Sequence, residues 1–218
     1  MTVSRSSSVA RLAIAIFAMA SVVVASNFLV QYPVQLVLGG INLADLLTWG
    51  AFTYPAAFLV TDLTNRRFGA NSARIVVLVG FVIAVILSIW LATPRIAIAS
   101  GAAFLVAQLL DVTIFDRLRR AVWWKGPIVS SLLGSVVDTV LFFGIAFSAA
   151  FAFIDTGFGM DDGSLAFPVP FLGVGTDVPL WTSLAVGDFV VKILVAVALL
   201  VPYRMVVGLF SKEAQAAA

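Results

Sequence analysis

Four aspartates (Asp62, Asp111, Asp138 and Asp188), one lysine (Lys192) and one glutamine (Gln108) interrupt stretches of this chain that are otherwise almost wholly apolar. Asp188 and Lys192 stand at i and i+4, a spacing that puts an acid and a base on one helix face. That pair can neutralise itself locally, which leaves Asp138 and Asp111 unmatched. Gln108 and Asp111 are three apart and share a face. Ser130, Gly134 and Asp138 repeat every four residues, a small-residue ridge that lets another helix come close. Asp138 lies about 15 Å from the start of its helix at about 1.5 Å per residue, near the middle of a hydrocarbon core about 30 Å thick. Inserting an Asp, Lys or Arg at mid-span costs about 2.5–3.5 kcal/mol, so such groups must face one another or water. Two kinds of chemistry suit them. An acid that exchanges a proton at mid-membrane is the chemistry of a proton-coupled carrier. A carboxylate also accepts two parallel N–H bonds from an amidine-like edge, while aromatic rings stack on a flat base.

The elements that must carry these groups are apolar helices. The 218-residue chain is 62% hydrophobic and 11% charged, with a mean hydropathy of +1.12. A soluble domain averages about 45–50% apolar and about 25% charged residues. The expected fold class is all-α: a polytopic membrane protein, a bundle of six transmembrane helices in one domain over 1–218. The predicted spans are 12–31, 43–63, 75–92, 96–115, 128–154 and 180–201, with an external loop at 155–179. Alternating ten-residue strands are absent, which argues against a barrel. The chain has no His and no Cys, which excludes imidazole and thiol chemistry, disulfides, haem ligation and zinc sites. No GxxxxGK[ST] motif supplies ATP hydrolysis. No cofactor and no metal are expected. The DDG run at Asp161–Gly163 lacks the other oxygen ligands of a calcium loop and reads as a solvated loop or a lid.

The second helix carries the most telling stretch, TYPAAFLVTDLTNRRFG from Thr53 to Gly69. A proline inside a helix strands the carbonyl four residues back, that of Ala51, and in lipid that group needs a partner in protein or water. Asp62 ends the apolar part. It either pairs with Arg66 one turn on or faces a polar interior. Asp45, Trp49, Phe52, Leu59 and Asp62 fall on one side at helical spacing. Trp49 is an interfacial anchor or part of an outer mouth. Asn27 and Gln31, four apart near the end of the first helix, either bond between helices or face a substrate path. The AMASVVVAS ending of that helix resembles a cleavage site, but the apolar run is as long as a full span. The third helix, with Trp90 as a belt residue, reads as facing lipid.

Charge sets the orientation. With six spans, Arg5, Arg11, Arg66, Arg67, Arg74, Arg117, Arg119, Arg120, Lys125, Arg204 and Lys212 share one side, so both termini are cytoplasmic. The pI near 9.3 then reflects orientation, and no nucleic-acid partner is expected. Arg95 is the exception, a lone cation at the outer face, placed to attract an anion or an external carboxylate.

Longer motifs sharpen the reading. SNFLVQYPV, TWGAFTYP, FLVTDLTNRRFG, RIAIAS, QLLDVTIFDRLRR, DTVLFFGIAF and GDFVVK resemble the queuosine precursor transporters, the bacterial branch of the vitamin uptake transporter family. The resemblance runs from Ser26 to Arg204 and leaves out the N-terminal tail and the external loop. It implies a multi-pass inner-membrane importer of 7-cyano-7-deazaguanine and 7-aminomethyl-7-deazaguanine, 7-deazaguanine bases salvaged for tRNA modification, and not an enzyme. Periodicity and charge alone support only a small-molecule carrier or a membrane scaffold. The candidate substrate-binding residues are Asn27, Gln31, Trp49, Asp62, Arg95, Gln108, Asp111, Asp138, Asp188 and Lys192. Asp138, Gln108 and Asp111 are expected to meet the guanine-like edge, around a wet chamber shared by the buried polar groups. The partners expected are the small-molecule substrate, the lipid bilayer and, through the Ser130/Gly134 ridge, a second copy in a homodimer. The alternative is a substrate-binding membrane subunit that needs a separate ATPase module. An intramembrane aspartyl protease fits less well. Asp188 sits in AVGD, without the first glycine of GxGD, and Asp138 follows two valines where that class carries tyrosine.

Overall fold

The computed structural model describes residues 2–216, with the side chains of residues 10–44 and 46–210. The side chains of Arg5, Asp45 and Lys212 are not among those described. The chain is mostly helical, and five of its described helical segments are long and apolar enough to cross a membrane: Ala10–Leu29, Ala70–Leu91, Pro94–Leu118, Lys125–Phe147 and Leu180–Phe210.

The long helices are α1 (Thr2–Leu29), α4 (Ala70–Leu91), α5 (Pro94–Leu118), α6 (Lys125–Phe147) and α8 (Leu180–Ala216). Between α1 and α4 the predicted helix over 43–63 is replaced by several shorter pieces. Gly39 and Gly40, both at positive φ, turn a two-stranded ribbon, β1 (Val37–Leu38) against β2 (Ile41–Asn42). The Asn42 side chain accepts from Ala44 N and caps a single 3-10 turn at Leu43–Asp45. Helix begins only at Gly50, with α2 (Gly50–Thr53), and resumes as α3 (Ala56–Phe68). The break sits at Tyr54-Pro55, as the missing proline N–H requires. Both residues keep right-handed helical angles, so the chain kinks there and continues.

Short as it is, α3 is central: it packs against α1, α4, α5, α6 and α8. Gly69 ends it at φ 84°, ψ 170°, a backbone region open essentially to glycine alone, and α4 starts at once in the opposite direction. The apolar core is the meeting of α1, α3, α4 and α5, with Met19, Val23, Ala57, Ala73, Val76, Val77, Phe104 and Val112 all buried. The third apolar helix, α4, is therefore lipid-facing on one side only. Trp90 is 83% exposed, whereas Val76 and Val77 are fully covered.

α6 packs along both α5 and α8. Gly134 is where α3 meets α6: a Cβ there would stand 2.8 Å from Cε1 of Phe58. The small-residue ridge is thus used within the chain. α6 also stops at Phe147, short of the predicted 154, because Ser148 is extended. The segment between α6 and α8 is more than a loop. It holds α7 (Ala152–Gly157) and a second ribbon, β3 (Pro168–Pro170) against β4 (Asp177–Pro179), with Pro168 opposite Pro179. α8 runs on past the predicted end at 201, through Pro202.

Candidate functional site

Two polar knots lie between α3, α5, α6 and α8. The first is built on Lys192, whose Nζ donates to Asp138 Oδ2 at 2.6 Å and also pairs with Asp188. Asp138 is therefore not unmatched, as its sequence neighbours suggested; its partner comes from α8. The Tyr54 hydroxyl donates to the other oxygen, Asp138 Oδ1, at 3.0 Å, and Lys192 Nζ sits 5.3 Å from the Tyr54 ring centroid. Thr139 donates to Asp188 Oδ2 at 3.4 Å. The kink at Pro55 aims Tyr54 into the bundle, where Phe58 and Phe104 hold its ring edge-on at 6.3 and 6.2 Å. Two carboxylates around one ammonium leave this knot with a formal charge of −1.

The second knot joins α3 to α5 nearer the basic end of the bundle. Thr61 Oγ1 lies 3.1 Å from Gln108 Oε1 and 3.5 Å from Asp111 Oδ2. Asp62 and Asp111 belong to one cluster: Thr61, next to Asp62 in the chain, reaches Asp111, and Ser130 Oγ lies 3.5 Å from Asp62 Oδ1. Asp62 does not form an ion pair with Arg66 among the described residues. Arg66 instead donates to the Tyr203 hydroxyl at 2.9 Å and to the Arg119 carbonyl, and packs over the Phe115 ring. Nearby, Asn65 Nδ2 donates to the Val112 carbonyl at 2.9 Å and ties α3 to α5.

Several buried polar atoms remain without a hydrogen-bond partner, among them Gln108 Nε2, Asp111 Oδ1 and Ser135 Oγ. Such atoms are rare in a settled core, and each leaves an unmet demand of about 1–3 kcal/mol. They offer a donor, an acceptor and a hydroxyl on the facing sides of α5 and α6.

The expected wet chamber is not open. Beside Asp62, between Pro55, Ser131, Leu199 and Tyr203, there is a void of about 10 Å³, room for a single water. A larger cleft of about 480 Å³ lies away from both knots, between Trp123, Leu200, Arg204 and Leu209. Lys192 bridges two carboxylates, and the rings of Tyr54, Phe58 and Phe104 pack edge-on next to it. The polar groups gather in two knots, and no void common to both is found among the described residues, contrary to the single chamber expected.

Other predicted site residues lie elsewhere. Asn27 and Gln31 turn their amides back onto Val23 and Asn27 carbonyls of their own helix, at 2.9 and 3.3 Å. Trp49 is exposed and packs against Phe52. Arg95 is 1% exposed and belongs to a separate clasp. It pairs with Asp155 at 2.7 Å, reaches Asp162 at 3.5 Å and Ser164 at 3.1 Å, and donates to the Ile145 carbonyl at 2.8 Å and to the Ser148 carbonyl. A cation on the last carbonyls of a helix is a favourable end, and it explains why α6 stops where it does. The external carboxylate expected for Arg95 is Asp155, assisted by Asp162. Sequence reasoning did not assign Tyr54, Thr61 or Ser135 to the site. The Tyr54-Pro55 step was the available signal for Tyr54; for two hydroxyls on apolar helices there was none.

The fold and these knots define a multi-pass helical membrane protein with buried polar groups held between its helices. A family described as "Putative vitamin uptake transporter" matches residues 48–93 and 88–207. Two curated relatives are similar to nearly the whole chain. The "Probable queuosine precursor transporter" of Haemophilus influenzae is 34% identical, over 89% of this chain and 85% of its own length. The "Queuosine precursor transporter" of Escherichia coli is 32% identical, over 88% and 84%. No solved structure matches the chain. The chain belongs to this vitamin uptake transporter family, and it is a transporter and not an enzyme.

Proposed function

We propose that this protein imports queuosine precursor bases, 7-cyano-7-deazaguanine and 7-aminomethyl-7-deazaguanine, across the inner membrane as a secondary or facilitative carrier, seen here with its path closed. The names of the two relatives support the substrate class. α2 and α3 together serve as the sixth span: Gly50 to Phe68 covers about 28 Å at about 1.5 Å per residue, close to the hydrocarbon thickness. Both termini then lie with the cations on the cytoplasmic side.

One observation carries the site: Gln108 Nε2, Asp111 Oδ1 and Ser135 Oγ are buried and without a hydrogen-bond partner. When α3 and α5 part from α6 and α8, a base enters between them. Asp138, Gln108 and Asp111 meet its hydrogen-bonding edge, and Tyr54, Phe58 and Phe104 offer ring faces. Lys192, held by Asp188, sets the charge. Asn27, Gln31 and Trp49 line the outer mouth. The test is uptake of radiolabelled 7-cyano-7-deazaguanine by cells unable to make it. Asp138→Asn is expected to lower uptake at least tenfold at unchanged protein level; full uptake removes Asp138 from the site. Transport by the purified chain in liposomes, without partners, separates a carrier from a subunit that needs an ATPase.

A further inference from the structure

Asp62 and Asp111 share one buried cluster, joined through Thr61 and Ser130. Two carboxyls buried together with no cation between them do not both stay ionised, so one of them carries a proton. Both are buried, 2% and 0% exposed, and neither forms an ion pair among the described residues. The charged and titratable groups around them are few. Arg66, on α3, is engaged by Tyr203 and the Arg119 carbonyl. Tyr203 comes from α8. Lys192, Asp138 and Asp188 are already paired with one another. From α6 the pair meets only the Ser130 hydroxyl. α1 and α4 meet α3 and α5 through the apolar cluster of Met19, Val23, Ala73 and Val76.

Two further features point to a proton and to what it controls. The water-sized void touches Asp62, Ser131 and Tyr203, so one water fits against Asp62. Asp111 is the member with a free acceptor, Oδ1, and its helix neighbour Gln108 has a free donor. We infer that Asp62 and Asp111 form a proton-binding pair in which a proton on Asp62 holds Asp111 ionised for the substrate edge, so that one proton enters with each base. A proton binding to Asp62 converts carboxylate to acid and relieves the repulsion between the two groups. Asp111 then accepts an N–H of the base. Release of the base on the inner side lets the proton leave Asp62. 7-Cyano-7-deazaguanine is neutral, so one positive charge crosses with each molecule of that base.

This inference rests on the carrier reading, and the experiment keeps the two apart. The purified chain is reconstituted in liposomes with a pH-sensitive dye in the lumen. Exchange of radiolabelled for unlabelled 7-cyano-7-deazaguanine at equal pH tests the carrier; if none occurs, that reading fails. If exchange occurs, adding external base at an inward proton gradient is expected to acidify the lumen by about one proton per base, and an inside-negative potential to raise accumulation. Exchange without proton movement overturns the proton pair alone. Asp62→Asn, which cannot take up or release a proton, is expected to lose gradient-driven accumulation and lumen acidification together. Asp62→Glu is expected to restore accumulation in part. Asp62→Asn protein that is folded but has lost exchange altogether overturns the assignment by making Asp62 a substrate contact. If Asp62→Asn does not fold, the proton count of the parent chain decides.

Discussion

Lys192 is the residue on which two buried carboxylates depend. Replacing it by methionine removes the only cation paired with Asp138 and Asp188 among the described residues and leaves both acids in the bundle. Breaking a buried pair from one side costs about 3–5 kcal/mol. Lys192→Met is therefore expected to lower the melting temperature in detergent markedly, as followed by tryptophan fluorescence. The double variant Lys192→Met/Asp138→Asn is expected to regain part of the loss, because only Asp188 is then left without its partner. A double variant no more stable than the single one would show that the ammonium is not what holds the carboxylates. Half of this knot was legible in sequence, since Asp188 and Lys192 lie one turn apart. Asp138 was not, because local spacing is silent about a partner 54 positions away. The same limit hid the Tyr54–Asp138 bond, 84 positions apart.

Among the elements, the α2–α3 joint carries most of the meaning. Pro55→Ala restores the missing N–H and removes the ring that clashes with the carbonyl of Ala51. The straightened helix is expected to be at least as stable, yet to turn Tyr54 off Asp138, so base exchange in liposomes falls while the melting temperature holds. Equal exchange would mean that the kink has no part in the site. Gly134→Val tests the close approach of α3 and α6. A Cβ 2.8 Å from Phe58 overpacks the contact, with an expected loss of about 1–3 kcal/mol, read by thermal unfolding. The outer clasp adds a pH dependence. Hydrogen bonds from Ser164, followed by the Arg95 guanidinium, hold the Asp162 carboxyl below the ordinary aspartate range. Its share of the clasp is therefore complete above about pH 4 and is lost as pH falls through the lowered value. Hydrogen exchange of residues 158–167 is expected to quicken over that acid range, and Asp162→Asn to abolish the step. The long helices were legible because a run of about 20 apolar residues has few other fates. The second was mis-bounded because the Asn42 cap turns Leu43–Asp45 into a single 3-10 turn, and α-helix starts only at Gly50.

For the molecule as a whole, the decisive asymmetry is between its two ends. Arg66, Arg67, Arg119 and Arg204 gather at one end, on Tyr203, Phe210 and Trp123. Asp155, Asp162 and the two proline-rimmed strands β3 and β4 lie at the other. Between them the bundle turns large apolar side chains outward, with Phe17 74%, Ile89 69%, Leu194 65% and Met205 67% exposed. A water-soluble surface does not carry such a belt, and a bilayer covers it. If α2 and α3 complete a sixth span, the basic end faces the cytoplasm by the positive-inside rule. The chain has no native cysteine, so single cysteines report this without background. Gln35→Cys and Asp161→Cys, both at exposed positions, are expected to react with a membrane-impermeant maleimide added outside intact cells. Asn71→Cys and Lys125→Cys are expected to react only after the membrane is opened. The position that discriminates is Gln35. With α1 and α2–α3 both crossing, it lies outside together with Asp161. If α2–α3 instead stays on one side, Gln35 and Asn71 label together, and the charge argument for the termini falls with the sixth span.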